Sequence, residues 1–262
     1  MRRCQVLSVF TREGAGGNPL GVVTDPTGLD AAAMQAIAAD LGFSETVFLD
    51  RQAEGAPRAR IFTPAAEIPF AGHPLVGAGW WLGVGEGAGV RRLVCGIGEI
   101  PFRVEERRVF IEVSLTREVS AVAAASGVGG LPDGRRAWEV RLPLRYRLYE
   151  VERPDAVAGA APDLGALAGA PWEGTLLFCR RRAAVRARFF APALGVPEDP
   201  ATGSAAVALA AALSFSGERD GAVTVDQGDE VGAPSRLEVV WGGGMVAVGG
   251  TVRHDGVKVL AI

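Results

Sequence analysis

Arg60-Ile61-Phe62-Thr63-Pro64 and Arg188-Phe189-Phe190-Ala191-Pro192 share one pattern of arginine, aromatic residue and proline, 128 residues apart. A pattern that returns at a fixed offset is typical of a chain built from two similar units. The two stretches therefore predict an internal duplication, and the remaining sequence is best interpreted in two halves.

Two further matches lie on either side in the same order. Ser44-Glu45-Thr46 corresponds to Trp172-Glu173-Gly174 at the offset of 128, and His73-Pro74 corresponds to Asp199-Pro200 at an offset of 126. A loop deletion of two residues reconciles the offsets. Three matches in one order favour duplication over chance.

The predicted units are residues 1–118 and 119–262, with the final strand able to pack back on the first unit. The stretch Thr116–Gly134 is rich in Ala, Ser and Gly and ends in the turn signal Leu131-Pro132-Asp133-Gly134. This composition predicts a linker there.

Each half reads as short strands around a helix. Asp30 is the predicted N-cap of a helix over Ala31–Leu41, and two helices rich in small residues are predicted over Pro74–Leu82 and Pro200–Leu213, each with proline at its first position. Runs rich in β-branched and aromatic residues predict strands: Val6–Phe10, Leu20–Val23, Val47–Leu49, Arg58–Phe62, Arg91–Cys95, Phe102–Val104, Val109–Leu115, Glu139–Val151, Leu176–Arg180, Val223–Val225, Leu237–Trp241 and Met245–Val252. Two such units facing each other would bring two helix N-termini, with free N–H groups, to one cleft suited to a substrate carboxylate.

The composition narrows the classes of function. A net charge of −3 with mixed signs shows no footprint for nucleic acid or anionic lipid. The apolar stretches are too short to span a bilayer and no apolar leader is visible, which predicts a cytoplasmic protein without membrane contact. Three scattered cysteines and two histidines predict neither disulfides nor a metal site. Lys258 is the single lysine and a poor candidate for Schiff-base chemistry, so no cofactor is expected.

Three side chains are candidates for acid/base chemistry. His73 and Asp199 each precede a helix-opening proline, so the duplication would place an imidazole and a carboxylate across one cleft. The alternative for His73 is a loop histidine hydrogen-bonded to the backbone, and the alternative for Asp199 is a helix N-cap. Glu45 precedes an apolar run, where burial would raise its pKa and suit it to take and return a proton; the alternative is a solvated charge on a connector. Glu173 reads as a turn residue and is assigned no role.

Ser204 follows Gly203 in a tight turn and could offer its hydroxyl and backbone N–H to an anion. A serine nucleophile is the alternative, although the Gly-x-Ser-x-Gly elbow is missing.

These motifs resemble those of the phenazine-biosynthesis (PhzF-like) isomerases over nearly the whole chain. The matching motifs, in order, are Gly17-Asn18-Pro19, Ser44-Glu45-Thr46, Phe70-Ala71-Gly72-His73-Pro74, Glu198-Asp199-Pro200-Ala201-Thr202-Gly203-Ser204-Ala205, Gln227-Gly228 and Gly232-Ala233-Pro234-Ser235. The resemblance implies an α+β, diaminopimelate-epimerase-like fold of two pseudo-symmetric β-barrel-like units, each wrapped around a central helix, and assembly as a homodimer.

The resemblance also implies the roles of site residues. Glu45 would be the catalytic acid/base, His73 and Asp199 would assist or orient the substrate, and Gly72, Gly203 and Ser204 would hold its carboxylate. In the phenazine enzyme the reaction is an allylic proton shift in trans-2,3-dihydro-3-hydroxyanthranilate. The expected function is a cofactor-independent isomerase acting on a small carboxylic acid, since neither loop carries the cysteines of the related epimerases.

Two departures bear on the substrate. Leu75 stands where the family often has threonine, and Ala233 where Gly-Arg-Pro-Ser is common, so a hydroxyl and a guanidinium are missing near the expected cleft. They leave open a non-catalytic small-molecule binding protein that retains the cleft. An acyl hydrolase using Ser204 is a third hypothesis.

Overall fold

The computed structural model describes residues 2–51, 55–85, 91–116 and 118–260. The chain forms two compact units, Met1–Val113 with Gly249–Ile262, and Ser114–Val248. The boundary thus lies a few residues before the predicted one at residue 118, and the C-terminal segment groups with the first half of the chain. None of the described helices is long and apolar enough to cross a bilayer.

The first unit consists of short strands and two α-helices. Its elements are β1 (Arg2–Thr11), β2 (Asn18–Val23), α1 (Ala31–Leu41), β3 (Glu45–Asp50), β4 (Arg58–Phe62), β5 (Glu67–Ile68), α2 (Gly72–Trp80), a π-helical turn (Trp81–Gly85), β6 (Arg92–Cys95), β7 (Gly98–Glu105) and β8 (Arg108–Ser114).

The second unit follows the same plan with shorter surface helices. Its elements are β9 (Val119–Val122), β10 (Arg136–Arg141), β11 (Arg145–Glu150), α3 (Pro154–Ala158), α4 (Leu164–Ala168), β12 (Gly174–Arg181), β13 (Ala184–Ala191), a 3₁₀ turn (Pro192–Leu194), β14 (Val196–Asp199), α5 (Gly203–Phe215), β15 (Gly221–Gln227), β16 (Ser235–Gly242) and β17 (Met245–Leu260), which continues into the first unit.

Strand pairing within the units shows the repeat directly. In the first unit β1 and β2 are antiparallel, β2 and β3 parallel, β3 and β4 antiparallel, and β4 and β6 parallel. In the second unit β10 to β13 and β15 pair in the same sequence of directions. The predicted internal repeat is confirmed at the level of topology.

Matched side chains identify which residues correspond. Arg60 binds Glu67 through two hydrogen bonds and lies over the Phe62 ring. Arg188 binds Glu198 in the same bidentate way and lies over the ring of Phe190. The Arg-x-Phe match therefore reflects one arginine–glutamate–phenylalanine arrangement that occurs in both units, partly exposed in the first and largely buried in the second.

The predicted match of His73 with Asp199 is wrong by five residues. Both α2 and α5 begin at the glycine of a Glu-x-Pro-x-x-Gly stretch, Glu67–Gly72 in the first unit and Glu198–Gly203 in the second. When the two glycines are aligned, the next residue is His73 in the first unit and Ser204 in the second. When the two glutamates are aligned, the next residue is Ile68 in the first unit and Asp199 in the second. The error arose because His-Pro and Asp-Pro look alike in sequence, whereas the helix starts are set by packing.

The predicted match of Glu45 with Glu173 is wrong by one residue. Thr46 pairs across the ladder with Phe62, and Thr175 pairs with Phe190. Glu45 therefore corresponds to Gly174. A Cβ at Gly174 would lie 2.9 Å from Cδ1 of Tyr146, so the second unit has aromatic side chains where the first has space for a carboxylate.

Most elements fall where the sequence predicts them. The α1 helix spans the predicted residues, and the Asp30 carboxylate caps it by accepting a hydrogen bond from Ala33 N at 2.8 Å. The sequence analysis does not predict β5, β13, β14 or α3, and three predicted features differ locally. The run Glu139–Val151 is divided into β10 and β11 by a turn, the expected linker contains strand β9, and neither Pro74 nor Pro200 opens a helix. Pro74 is the third residue of α2, and Pro200 lies three residues before α5.

The two small-residue helices form the centres of their units. Every residue of α5 from Gly203 to Leu213 is buried, as is α2 from Gly72 to Gly79. A helix that is apolar all round suits burial on most sides. At Gly77 a Cβ would overlap the side chain of Leu20 on β2, so this glycine lets α2 lie close to the strand and carry His73 with it.

Candidate active site

Glu45 begins strand β3 and is largely buried. The αL cap at Gly42 (φ 67°) ends α1, and the chain then enters β3 with Glu45 opposite Leu20 in the parallel ladder. The side chain is 17% exposed. The alternative of a solvated charge on a connector is therefore wrong, because Glu45 is part of a strand and its carboxylate is largely buried.

His73 is the second residue of α2 and lies beside Glu45. Its Nε2 is 3.5 Å from Glu45 Oε2, and its side chain is 3% exposed. On the other side of the ring, Nδ1 is 3.4 Å from Asn18 Nδ2. His73 is thus a buried helical residue between two polar side chains, and the alternative of a loop histidine bonded to backbone is wrong.

Burial keeps the imidazole of His73 neutral. Removing the ring from water lowers the pKa of His73 from 6.5 to about 3, so at neutral pH it carries no charge. The sequence-based interpretation treated His73 and a carboxylate as a ready acid/base pair, whereas the structure presents a neutral hydrogen-bonding group to Glu45.

Two polar residues behind His73 had no role in the sequence analysis. Asn18 is 1% exposed at the start of β2, and Ser44 Oγ donates to Asn18 Oδ1 at 3.2 Å. Both belong to quoted motifs, Gly17-Asn18-Pro19 and Ser44-Glu45-Thr46. The available signal was a pair of polar residues bordering apolar strands, but their contact with His73 depends on the fold.

Asp199 closes strand β14 in the second unit and is 7% exposed. Its Oδ2 accepts a hydrogen bond from Thr202 Oγ1 at 2.6 Å. Gln227 Nε2 donates to the Asp199 backbone oxygen at 2.7 Å and lies 3.1 Å from Thr202 Oγ1. Thr202, not Asp199, is the N-cap residue of α5. The alternative of Asp199 as a helix cap is therefore wrong, and Thr202 and Gln227 are site residues that the sequence analysis did not assign.

Ser204 is the second residue of α5, the position that His73 has in α2. It is 8% exposed, and the Tyr146 hydroxyl donates to its Oγ at 3.0 Å. The two histidines of the chain both belong to the first unit, so the second unit contains no histidine that could serve Ser204 as a base. This arrangement suits a hydrogen-bonding role better than a nucleophilic one.

Gly72 and Gly203 begin the two central helices. Their N-cap residues, Ala71 and Thr202, are extended and make no side-chain capping bond to the helix. The first N–H groups of each helix have no intrahelical acceptor by geometry. They therefore offer hydrogen-bond donors at the residues that the sequence analysis selected for carboxylate binding.

The two departures from the family pattern lie in different surroundings. Leu75 is fully buried in α2, so it is a core residue and presents no surface to a ligand. Ala233 is half-buried. Its backbone N–H donates to the backbone oxygen of Gly228, and its backbone oxygen accepts a hydrogen bond from the Ser235 hydroxyl. The burial of Leu75 removes one of the two features that favoured a non-catalytic binding protein.

Across the ranges that the structure describes, no group of three or more His, Cys, Asp or Glu side chains is placed to hold a metal ion. Glu45 and His73 form a pair, and no third side chain of these types in the described ranges joins them as a ligand set. The chemistry that this pair can perform is transfer of a proton to and from a carboxylate.

The chain is similar to known proteins in sequence and in architecture. Residues 7–125 and 152–252 match the model of the phenazine biosynthesis-like protein family. An uncharacterized isomerase from Mesorhizobium japonicum is 36% identical over 94% of this chain and 93% of that protein. A trans-2,3-dihydro-3-hydroxyanthranilate isomerase from Pseudomonas aeruginosa is 34% identical over 90% of this chain and 89% of that protein.

Solved structures agree on the architecture. A PhzF-family phenazine biosynthesis protein from Enterococcus faecalis superposes with a TM-score of 0.82 over 99% of both chains at 21% identity, which shows the fold. The relatives define an isomerase with the mixed α+β fold of the PhzF-family structure, as the sequence predicts. More narrowly, this chain belongs to the phenazine biosynthesis-like family.

Proposed function

We propose that this protein catalyses a cofactor-independent proton shift on a small carboxylic acid, with Glu45 as the group that takes and returns the proton. The observation that carries the proposal is the largely buried Glu45 carboxylate 3.5 Å from Nε2 of a neutral histidine. A relative named trans-2,3-dihydro-3-hydroxyanthranilate isomerase supports an amino- and hydroxy-substituted cyclic acid as the substrate class.

In the proposed reaction Glu45 removes a proton from a carbon next to an unsaturated or carbonyl group. The C–H electron pair moves into the neighbouring π system, the double bond shifts, and protonated Glu45 returns the proton to another carbon on the same face. No electrons leave the substrate, so the step needs neither oxidant nor reductant. We propose that, when the substrate binds, His73 donates its Nε2–H to one carboxylate oxygen and the other oxygen takes the substrate proton.

For the second unit we propose that Asp199 accepts a hydrogen bond from an amino or hydroxyl group of the substrate. The Thr202 hydroxyl holds one of its oxygens at 2.6 Å. The N–H groups of Gly72 and Gly203, with the Ser204 hydroxyl, are proposed to bind the substrate carboxylate. That the loops of the two units serve one cleft stays a prediction.

The corrected match between the units supports a one-carboxylate shuttle. Glu45 corresponds to Gly174, His73 to Ser204, and Asp199 to Ile68. A two-base racemase needs a base on each side of the substrate. Here Glu45, His73 and Asp199 each occur in one unit, and the equivalent residue of the other unit is not an acid or base at neutral pH. The asymmetry favours an isomerase that uses one base on one face.

Proton exchange tests the role of Glu45. The protein is incubated with trans-2,3-dihydro-3-hydroxyanthranilate in heavy water, and deuterium incorporation is followed by mass spectrometry. Glu45→Gln should slow incorporation by about 10²–10⁴-fold, which is the usual contribution of a general acid/base. Glu173→Gln is the matched control, because Glu173 precedes the residue equivalent to Glu45 and accepts a hydrogen bond from Arg145 N.

Unchanged exchange in Glu45→Gln would reject the assignment. Tight binding of the acid to the wild-type protein without any exchange would favour the non-catalytic binding protein instead.

We also propose a cytoplasmic homodimer that needs no metal and makes no contact with nucleic acid or membrane. Light scattering coupled to size-exclusion chromatography measures the oligomeric state. Exchange activity that persists after dialysis against a chelator supports independence from metal, and loss of activity that added metal restores contradicts it.

A further inference from the structure

Asn18 is held rigidly where its amide meets the back of the His73 ring. Gly17 precedes it with φ 88°, and a Cβ at Gly17 would lie 2.9 Å from the backbone oxygen of Val9. Asn18 itself pairs with Val9 in the β1–β2 ladder. Its backbone is therefore fixed by the sheet, and a side chain that is 1% exposed has little freedom to turn away from His73.

The orientation of the Asn18 amide in the structure then determines which atoms donate. The Ser44 hydroxyl donates to Asn18 Oδ1, which leaves the amide nitrogen of Asn18 facing His73 Nδ1. An amide nitrogen only donates, so Nδ1 must accept. A neutral imidazole with a bare Nδ1 carries its proton on Nε2, and Nε2 faces Glu45 Oε2.

We infer that Asn18 is a positioning residue that selects the Nε2–H tautomer of His73, and that the hydrogen bond from Ser44 helps to stabilise this orientation of the Asn18 amide. The inference rests on the proposed function of Glu45. With the amide reversed, Asn18 Oδ1 would face Nδ1, the ring proton would move there, and a bare Nε2 would face the Glu45 carboxylate. Two lone pairs in contact would turn the carboxylate away from its working position.

The geometry also accounts for the length of the His73–Glu45 contact. Among the residues that the structure describes, His73 Nε2 has no hydrogen-bond partner, and Glu45 Oε2 lies 3.5 Å from it. Catalytic hydrogen bonds are often long before the substrate binds and shorten in the complex. A fixed tautomer makes that shortening favourable, since a donor rather than a lone pair is already directed at the carboxylate.

Nitrogen NMR tests the tautomer directly. The chain has only two histidines, so a ¹⁵N-histidine-labelled sample shows four ring nitrogens, with His254 as an internal reference. We expect His73 to be protonated on Nε2 and bare on Nδ1 at pH 7. Asn18→Asp, which presents oxygen to Nδ1, should move the proton to Nδ1 or protonate both nitrogens. A wild-type His73 protonated on Nδ1, or an unchanged tautomer in Asn18→Asp, would overturn the inference.

A second pair of variants keeps the test valid if Asn18→Asp does not fold. Ser44→Thr retains the hydroxyl and should retain the Nε2–H tautomer. Ser44→Ala removes the donor that orients the amide and should yield a measurable Nδ1–H population. Identical His73 spectra in these two variants would contradict the role of Ser44.

Kinetics with trans-2,3-dihydro-3-hydroxyanthranilate connect the tautomer to catalysis. Loss of an outer-shell orienting partner typically costs about 10–100-fold in activity, so Asn18→Asp should lower kcat by this amount with little change in KM and should add a pH dependence near neutrality. A rise in KM alone would indicate that Asn18 contacts the substrate instead. If the tautomer is as expected but Glu45→Gln exchanges normally, the proposed function fails and so does the catalytic part of the inference.

Discussion

Acidification should destabilise this protein through His73. The ring is neutral in the folded state because burial lowers its pKa to about 3, while the unfolded chain binds a proton near pH 6.5. The unfolded state therefore takes up the proton first as the pH falls. Stability contributed by the neutral ring is fully present above about pH 6.5 and is lost progressively between about pH 6.5 and 3.

The size of the effect follows from the shift. One pKa unit corresponds to about 1.4 kcal/mol, so at pH 4.5, about two units below the unfolded pKa, the free energy of unfolding should fall by about 2–3 kcal/mol. One contact opposes this change, because a Glu45 carboxylate at 3.5 Å favours the imidazolium. Desolvation of a ring that is 3% exposed outweighs it, and the hydrogen bond that Asn18 donates to Nδ1 also requires the neutral ring.

Urea unfolding at a series of pH values from 8 to 4.5 measures the effect. Many carboxylates change with pH in every variant, so the informative quantity is the difference in unfolding free energy between wild type and His73→Asn. That difference should shift by about 2–3 kcal/mol in favour of the variant across the range. His254→Asn is the matched control, since His254 is exposed, and it should follow the wild-type curve. Parallel curves for wild type and His73→Asn would refute the reasoning, because they would mean that the pKa of His73 is the same in the folded and unfolded states. A shift in favour of wild type would indicate an imidazolium paired with Glu45.

Three further predictions concern stability and are measured by the same urea titration at pH 7.5. Gly174→Ala should cost about 1–3 kcal/mol, because the new Cβ overlaps the ring of Phe189, and a neutral result would remove the steric account of the missing second carboxylate. Leu75→Ala should cost about 2–5 kcal/mol, as for other fully buried leucines, and a cost below about 1 kcal/mol would show that Leu75 is not a core residue. Arg188→Ala should cost about 3–5 kcal/mol, whereas Arg60→Ala should cost less than about 1 kcal/mol, because the two bidentate pairs differ in burial, with arginine side chains 9% and 32% exposed. Equal costs would contradict the role of burial.

The secondary structure was largely predictable because it depends on local patterns. The α1 helix is specified by an aspartate cap and apolar residues on one face, and both occur within a dozen consecutive positions. The repeat was predictable from Arg60 and Arg188 for the same reason, since each binds a glutamate a few residues along the chain. Local patterns failed at the starts of α2 and α5, where a proline looked like a first helical residue but packing sets the boundary.

The site was predictable in its residue types and less so in its contacts. Glu45, His73 and Asp199 stand out because few other groups in their motifs can move or bind a proton. Their partners do not stand out, since Asn18 meets His73 across 55 residues and Gln227 meets Asp199 across 28. The equivalence of His73 with Ser204 likewise required the helix starts.

The sequence by itself determined the two-fold plan of the chain, the alternation of strands and helices, and the carboxylate and histidine available for acid/base chemistry, because these follow from neighbouring residues and from motifs. Only the tertiary structure decided that Glu45 has no titrating counterpart, that His73 is neutral, and that Asn18 determines which of its nitrogens carries the proton. Those properties depend on desolvation and on hydrogen-bond geometry, and both arise only when distant segments of the chain come together.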